Sequence, residues 1–168
     1  MIKTIGRYTL EEELVSGGFG VVYRARHPVL GRDVAIKVIK PTLLDDPSFL
    51  ERFYREVRVA ASLQHPNIVN VRDADESDGY HFMVMDYVEG QDLSKLIGSG
   101  ERLPLNRIVH IIRQVSAALD YAHSQELIHR DVKSSNIMIG KEDQAVLTDF
   151  GIVRAVNESG SKIGRAHV

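Results

Sequence analysis

From Tyr8 to Ile39 the apolar, β-branched and aromatic positions come in short bursts broken by turn residues: YTLEEELV, SGGFG, VVYRARH, PVLGR and DVAIKVI. Such runs predict three antiparallel strands joined by tight turns. The period then changes. Asp46 before Pro47 reads as a helix cap and first helical position, and Phe49, Phe53, Val57, Ala60 and Leu63 recur at helical spacing. This predicts a helix of about four to five turns crossing behind the strands. NIVNVRDA and YHFMVMDYV restore strand character, so the expected first lobe, residues 8–89, is a five-stranded sheet with one helix.

At Gly90 the regime changes again. LPLNRIVHIIRQVSAALDYAH places Ile108, Ile111, Ile112, Val115, Ala118, Leu119 and Ala122 on one helical stripe, which predicts a buried helix leading a second lobe. After it come a dense polar run, IHRDVKSSNIMIG, a short strand pair around NIMI and AVLTDFG, and a polar tail. The expected class is α+β.

Composition narrows the function classes. The 168 residues are 43% hydrophobic and 26% charged, which is ordinary for a folded globular chain. A formal net charge of −2 with both signs interspersed provides no basic field for nucleic acid and no polybasic stretch for a membrane surface. There is no cysteine, hence no disulfide framework and no thiolate chemistry. The start lacks a signal-peptide core and no run is long enough to span a bilayer, so a cytoplasmic segment is expected.

Four stretches carry chemistry. In VSGGFG the clustered glycines let backbone N–H groups approach an anion, although the same cluster also makes a plain hairpin turn. A dinucleotide-binding turn opens a helix, whereas strand-like VVYRAR follows here, which excludes that reading. In VAIK, Lys37 sits inside an apolar strand, where an ammonium needs a counter-ion or a phosphate unless it snorkels to water. Glu56 on the helix behind is the expected counter-ion. In the polar run, Asp131 can accept a hydroxyl proton, Lys133 can neutralise a transferring phosphoryl group, and the Asn136 amide oxygen can ligate a hard cation. TDFG adds Asp149, a second oxygen ligand at a strand end. Magnesium with a triphosphate suits this set, because it takes few protein ligands and completes its shell from phosphates and water. The histidines His65, His110 and His123 lack metal-ligand spacing; His65 is expected to anchor the end of the preceding helix.

The glycine loop, VAIK, the helix glutamate, HRDVKSSN and DFG stand in the order and context of the eukaryotic-like (Hanks-type) protein kinase family, and from Tyr8 to Ala155 the chain resembles it. VVYRARHPVLGRDVAIKVI and HPNIV look most like its bacterial serine/threonine branch. The resemblance implies a bilobal fold and an ATP- and magnesium-dependent transfer of phosphate to serine or threonine hydroxyls of proteins. It also implies roles. Leu14, Val15, Ser16, Gly17, Gly18, Phe19 and Gly20 would cover the ATP phosphates, and Leu14, Val22, Ala35 and Met138 would sandwich the adenine. Met85 would be the gatekeeper, with the backbone of Asp86 and Val88 on the adenine edge and Asp92 near the ribose. Lys37, oriented by Glu56, would hold the α- and β-phosphates. Asp131 would be the catalytic base, Lys133 the γ-phosphate contact, Asn136 and Asp149 the magnesium ligands, and His129 a structural residue packed near Phe150. The rival from another class is a pseudokinase or nucleotide-binding regulatory module.

Two departures qualify the resemblance. Val15 stands where the family places its first loop glycine, which should stiffen the loop's entry and slow nucleotide handling. Ser134 replaces a common proline. The chain also ends soon after DFGIVRAVNESG, so residues 1–162 are expected to be an incomplete catalytic domain with a partial second lobe over 90–162, inactive by itself and with its long helix under-covered. The last residues, IGRAHV, match one reading frame of a widely used sequencing adapter, so 163–168 are expected to be an adapter-derived tail; in relatives of this kind a membrane helix and sensor domain often follow.

Overall fold

The computed structural model describes residues 4–100 and 102–150. The end of the DFG stretch and the expected tail at 163–168 lie outside the described residues. The chain opens with β1 (Thr4–Ile5), β2 (Tyr8–Ser16), β3 (Gly20–Arg26) and β4 (Asp33–Ile39), followed by α1 (Pro47–Ser62), β5 (Val71–Ser77) and β6 (Tyr80–Asp86). These strands form one antiparallel sheet in the order β1-β2-β3-β4-β6-β5. It has six strands where the periodicity predicts five. The additional one, Thr4–Ile5, is too short to show a period and exists because Ile5 pairs with Tyr8 and both are buried.

Helix α1 begins where the sequence signals it. The Asp46 carboxylate accepts the N–H of Ser48 at 2.9 Å, with Pro47 in the first turn where its missing N–H costs nothing. Its buried residues Phe49, Phe53, Val57 and Ala60 are the predicted stripe. Phe49, Phe53 and Val57 pack with Ala35, Ile39, Val69, Met83, Met85 and Val146 in one core. A second core under the sheet's other face joins Ile5, Tyr8, Ala25, Val34, Ile36, Val38, Phe82 and Val84.

The strand expected over NIVNVRDA starts late, at Val71, because the residues before it have another partner. Leu147 N–H donates to Asn67 C=O at 2.8 Å and Val69 N–H donates to Leu147 C=O at 3.0 Å, tying this loop to the second lobe. The Asn67 amide donates to Gln114 at 2.8 Å and to Ala145 C=O at 2.7 Å. His65 does not anchor the helix before it. Its ring accepts the Asn67 N–H at 3.1 Å and lies 5.3 Å from the Tyr121 ring, so it fastens the loop to the long helix instead.

The second lobe holds β7 (Gln91–Asp92), α2 (Leu93–Gly98), α3 (Leu105–Ser124), β8 (Ile137–Ile139) and β9 (Ala145–Leu147), with the strands in the order β7-β8-β9. Of the predicted stripe on α3, Ile111, Ala118 and Ala122 are buried, and Val115 and Leu119 pack at the core margin. Ile108 and Ile112 do not follow; Ile112 is 57% exposed and, with Leu105 and Val109, forms an open apolar face. At the edge strand β5, the N–H groups of Ala74 and Glu76 donate to the carboxylates of the residues just before them, Asp73 at 2.9 Å and Asp75 at 2.8 Å.

Candidate active site

Strands β4 and β6 lie side by side, with Ala35 opposite Met85 and Lys37 opposite Met83. Ala35 and Met85 are buried in the core that α1 covers, and Val22 from β3, Val88 beyond β6 and Met138 from β8 pack against its margin. The apolar residues that the resemblance implies for the adenine therefore share one cluster, drawn from both lobes. Leu14, half-buried on β2, is not part of it. At the end of β6, the side chain of Asp86 is engaged within the protein. Its carboxylate takes both guanidinium N–H groups of Arg72 at 2.8 and 2.6 Å and the Asn70 amide at 3.0 Å. Burial pushes that carboxyl up, but the bonds from Arg72 and Asn70 and the charges of Arg72 and Arg32 outweigh it and hold it below the ordinary range. Its backbone N–H donates to Asn70 C=O at 3.0 Å; the Val88 N–H has no protein acceptor among the described residues.

The glycine loop is the β2–β3 turn. Gly17 N–H donates to Gly20 C=O at 2.9 Å, and the Phe19 carbonyl accepts Lys40 N–H at 3.2 Å. Gly20 has to be glycine, since a Cβ there would lie 2.2 Å from the Val38 carbonyl oxygen. Gly18 has open space around it. Val15 and Ser16 are strand residues, paired with Val22 and Val21. Val15 is 55% exposed and is not among the residues with positive φ, so a β-branched side chain sits there without strain.

The polar run folds into a tightly bonded loop. His129, 1% exposed, donates from Nε2 to Thr148 C=O at 2.9 Å and accepts Asp131 N–H on Nδ1 at 3.2 Å. Its ring lies 4.5 Å from that of Phe150. Burial holds this imidazole below its ordinary value, against the pull of the Thr148 carbonyl and the Asp131 and Asp149 carboxylates. Asn136 donates from its amide to Asp131 C=O at 2.8 Å and to Asp131 Oδ2 at 3.0 Å. Lys133 Nζ pairs with the same Oδ2 at 2.9 Å. Thr148 was not anticipated from sequence. Its N–H and hydroxyl both donate to Asn136 C=O, at 2.8 and 3.2 Å, and so lock the loop to the end of β9. Arg130 and Asp149 both adopt positive φ, 63° and 54°. That region costs a non-glycine residue of order 1–3 kcal/mol, and it is held here by the surrounding bonds.

One expected contact comes out differently. Lys37, with its side chain 10% exposed, pairs with Asp149 Oδ1 at 2.7 Å and makes no ion pair with Glu56. The helix position puts Glu56 on the correct element, but periodicity says nothing of how far α1 is rolled toward β4. Asp92 is engaged as the N-cap of α2: its carboxylate accepts Lys95 N–H at 3.0 Å and a close bond from the Ser94 hydroxyl, and pairs with Lys95 Nζ at 3.4 Å. Burial raises that carboxyl, while Ser94 and Lys95 together bring it below its ordinary value.

The donor set fits a phosphate-completed magnesium. Both Asn136 amide hydrogens go to Asp131, which leaves the amide oxygen as the group for a cation, and Asp149 has a second oxygen beyond the one on Lys37. Among the described residues, no cluster of three or more histidine or acidic side chains forms a cage for an all-protein metal site.

The protein kinase domain family matches residues 8–166. Serine/threonine-protein kinase PrkC of Bacillus subtilis is 36% identical over 96% of this chain and 26% of its own length. Serine/threonine-protein kinase PknH of Mycobacterium bovis is 43% identical over 91% of the chain and 26% of its own length. Among solved structures, the PknI kinase domain of Mycobacterium tuberculosis superposes with a TM-score of 0.78 at 38% identity, covering 90% of this chain and 62% of that one. The chain thus spans about a quarter of the length of the curated relatives it matches.

Proposed function

Since this chain belongs to the protein kinase family, we propose that it binds ATP with magnesium and serves transfer of the γ-phosphate to serine or threonine hydroxyls of protein substrates. The observation that carries this reading is the Lys37–Asp149 pair, 2.7 Å across a sequence separation of 112 residues. It brings the buried cation of the first lobe to the acid beside the Asp131 loop, and no core-packing need explains a lysine there.

In the proposed reaction Lys37 holds the α- and β-phosphates and the glycine loop covers them with backbone N–H groups. Val22, Ala35, Met85 and Met138 enclose the adenine, and the Val88 N–H and Asp86 carbonyl meet its edge. A magnesium ion held by Asn136 and Asp149 supplies charge neutralisation at the phosphates. Asp131 accepts the proton as the substrate hydroxyl oxygen forms its bond to the γ-phosphorus, the bond to the ADP oxygen breaks, and Lys133 balances charge on the moving group. The Asp131–Lys133 and Asp131–Asn136 bonds support this assignment, since they orient the base before substrate arrives.

A thermal-shift titration tests the binding half. ATP with magnesium should raise the melting temperature, because a ligand that binds only the folded state stabilises it by mass action. Lys37→Met and Asp149→Asn should abolish the rise; a rise unchanged in both would overturn the assignment. Transfer of labelled γ-phosphate, lost in Asp131→Asn, separates a kinase from a module that binds nucleotide without chemistry.

A further inference from the structure

Helix α1 carries Glu56, and a single side-chain hydrogen bond ties this helix to the sheet among the described residues: Tyr54 Oη to His81 Nδ1, 2.8 Å. The other side-chain bonds of α1 stay within the helix or its cap, at Asp46, Glu51 and Val59. The Tyr54 and His81 rings meet edge to face at 5.9 Å, and His81 Nε2 faces Glu76 of β5 at 3.9 Å. The tyrosine hydroxyl and the imidazole share this bond, its direction set by the ring's tautomer. Burial, with the Glu76 and Asp75 charges, raises the Tyr54 hydroxyl and so keeps it protonated.

The bond has leverage. At about 100° per residue, Tyr54 and Glu56 fall on opposite flanks of the Phe49, Phe53, Val57 and Ala60 stripe on which the helix rests. His81 lies two residues from Met83 and shares its face of β6; Met83 packs under α1 and is the cross-strand neighbour of Lys37. Holding the Tyr54 flank against β6 rolls the Glu56 flank away from β4. The observed ion pairs agree, since Lys37 is on Asp149 and not on Glu56.

We propose that the Tyr54–His81 bond is a latch that sets the roll of α1 and keeps Glu56 off Lys37, so that Tyr54 and His81 are positioning residues for the phosphate-binding lysine. The proposal rests on the kinase reading for its meaning, but its test does not. Zero-length carbodiimide coupling on the 168-residue chain, read by mass spectrometry, reports which carboxylate neighbours Lys37. The wild type should give chiefly the Lys37–Asp149 product. Tyr54→Phe, which removes only the hydroxyl, should shift the ratio toward Lys37–Glu56 by about two- to tenfold, the range set by the net worth of one hydrogen bond. His81→Leu should do the same, whereas His81→Gln, which restores a hydrogen-bonding group, should return the wild-type ratio. A ratio unchanged in both Tyr54→Phe and His81→Leu, whatever their melting temperatures, sinks the latch and leaves the ATP-dependent thermal shift untouched. Absence of that shift in the wild type sinks the kinase reading and leaves the coupling ratio as it is.

Discussion

His129 shows how one residue joins the parts of the site. Both ring nitrogens are committed, one donating to Thr148 and one accepting from Asp131, so the neutral tautomer is built into the loop and a second proton would have to displace the Asp131 N–H. The unfolded chain takes that proton near the ordinary value of 6.5 and the folded chain only at lower pH, so acid favours unfolding. Stability from this group is complete above pH 6.5 and falls as pH drops through the lowered folded value. Melting curves across this range should show the decline, and His129→Gln should flatten it. The residue's packing near Phe150 was readable, because the resemblance implies it. Thr148 was not, since its contribution lies in two bonds to one backbone carbonyl, a geometry that leaves no trace in residue type.

Among elements, what could be read depended on whether the signal was local. The α1 cap, the α1 stripe and the strands of the β2–β4 meander follow from neighbours in sequence, and they stand as expected. The partner of Lys37 and the late start of β5 depend on how elements lie against one another, which period cannot report. Gly90 belongs to the same group. Nothing in its surroundings in the chain demands glycine, yet a Cβ there would lie 2.1 Å from the Ile139 carbonyl oxygen, where the link between lobes crosses β8. Gly90→Ala must push these backbones apart, and an overpacking cost of about 1–3 kcal/mol is expected. Chemical denaturation measures it, and Gly18→Ala, in open space, is the control that should change little.

At the scale of the molecule, the two lobes are joined by backbone as well as side chains: the Asn67–Val69 loop pairs with Leu147 of β9 and bonds to Gln114 on α3. The surface has a different character on its two sides. The outer face of α3 presents Leu105, Ile108, Val109 and Ile112 to water. The β5 edge does the opposite, since Asp73 and Asp75 spend their carboxylates on the N–H groups of Ala74 and Glu76. A chain arriving to extend the sheet there meets donors already taken, with Asp73 further paired to Arg7. Copies of this 168-residue chain that cluster at high concentration should therefore do so through greasy helix faces and keep their native strands unextended. Such clusters should bind a hydrophobic dye, leave an amyloid dye dark, and redissolve on dilution.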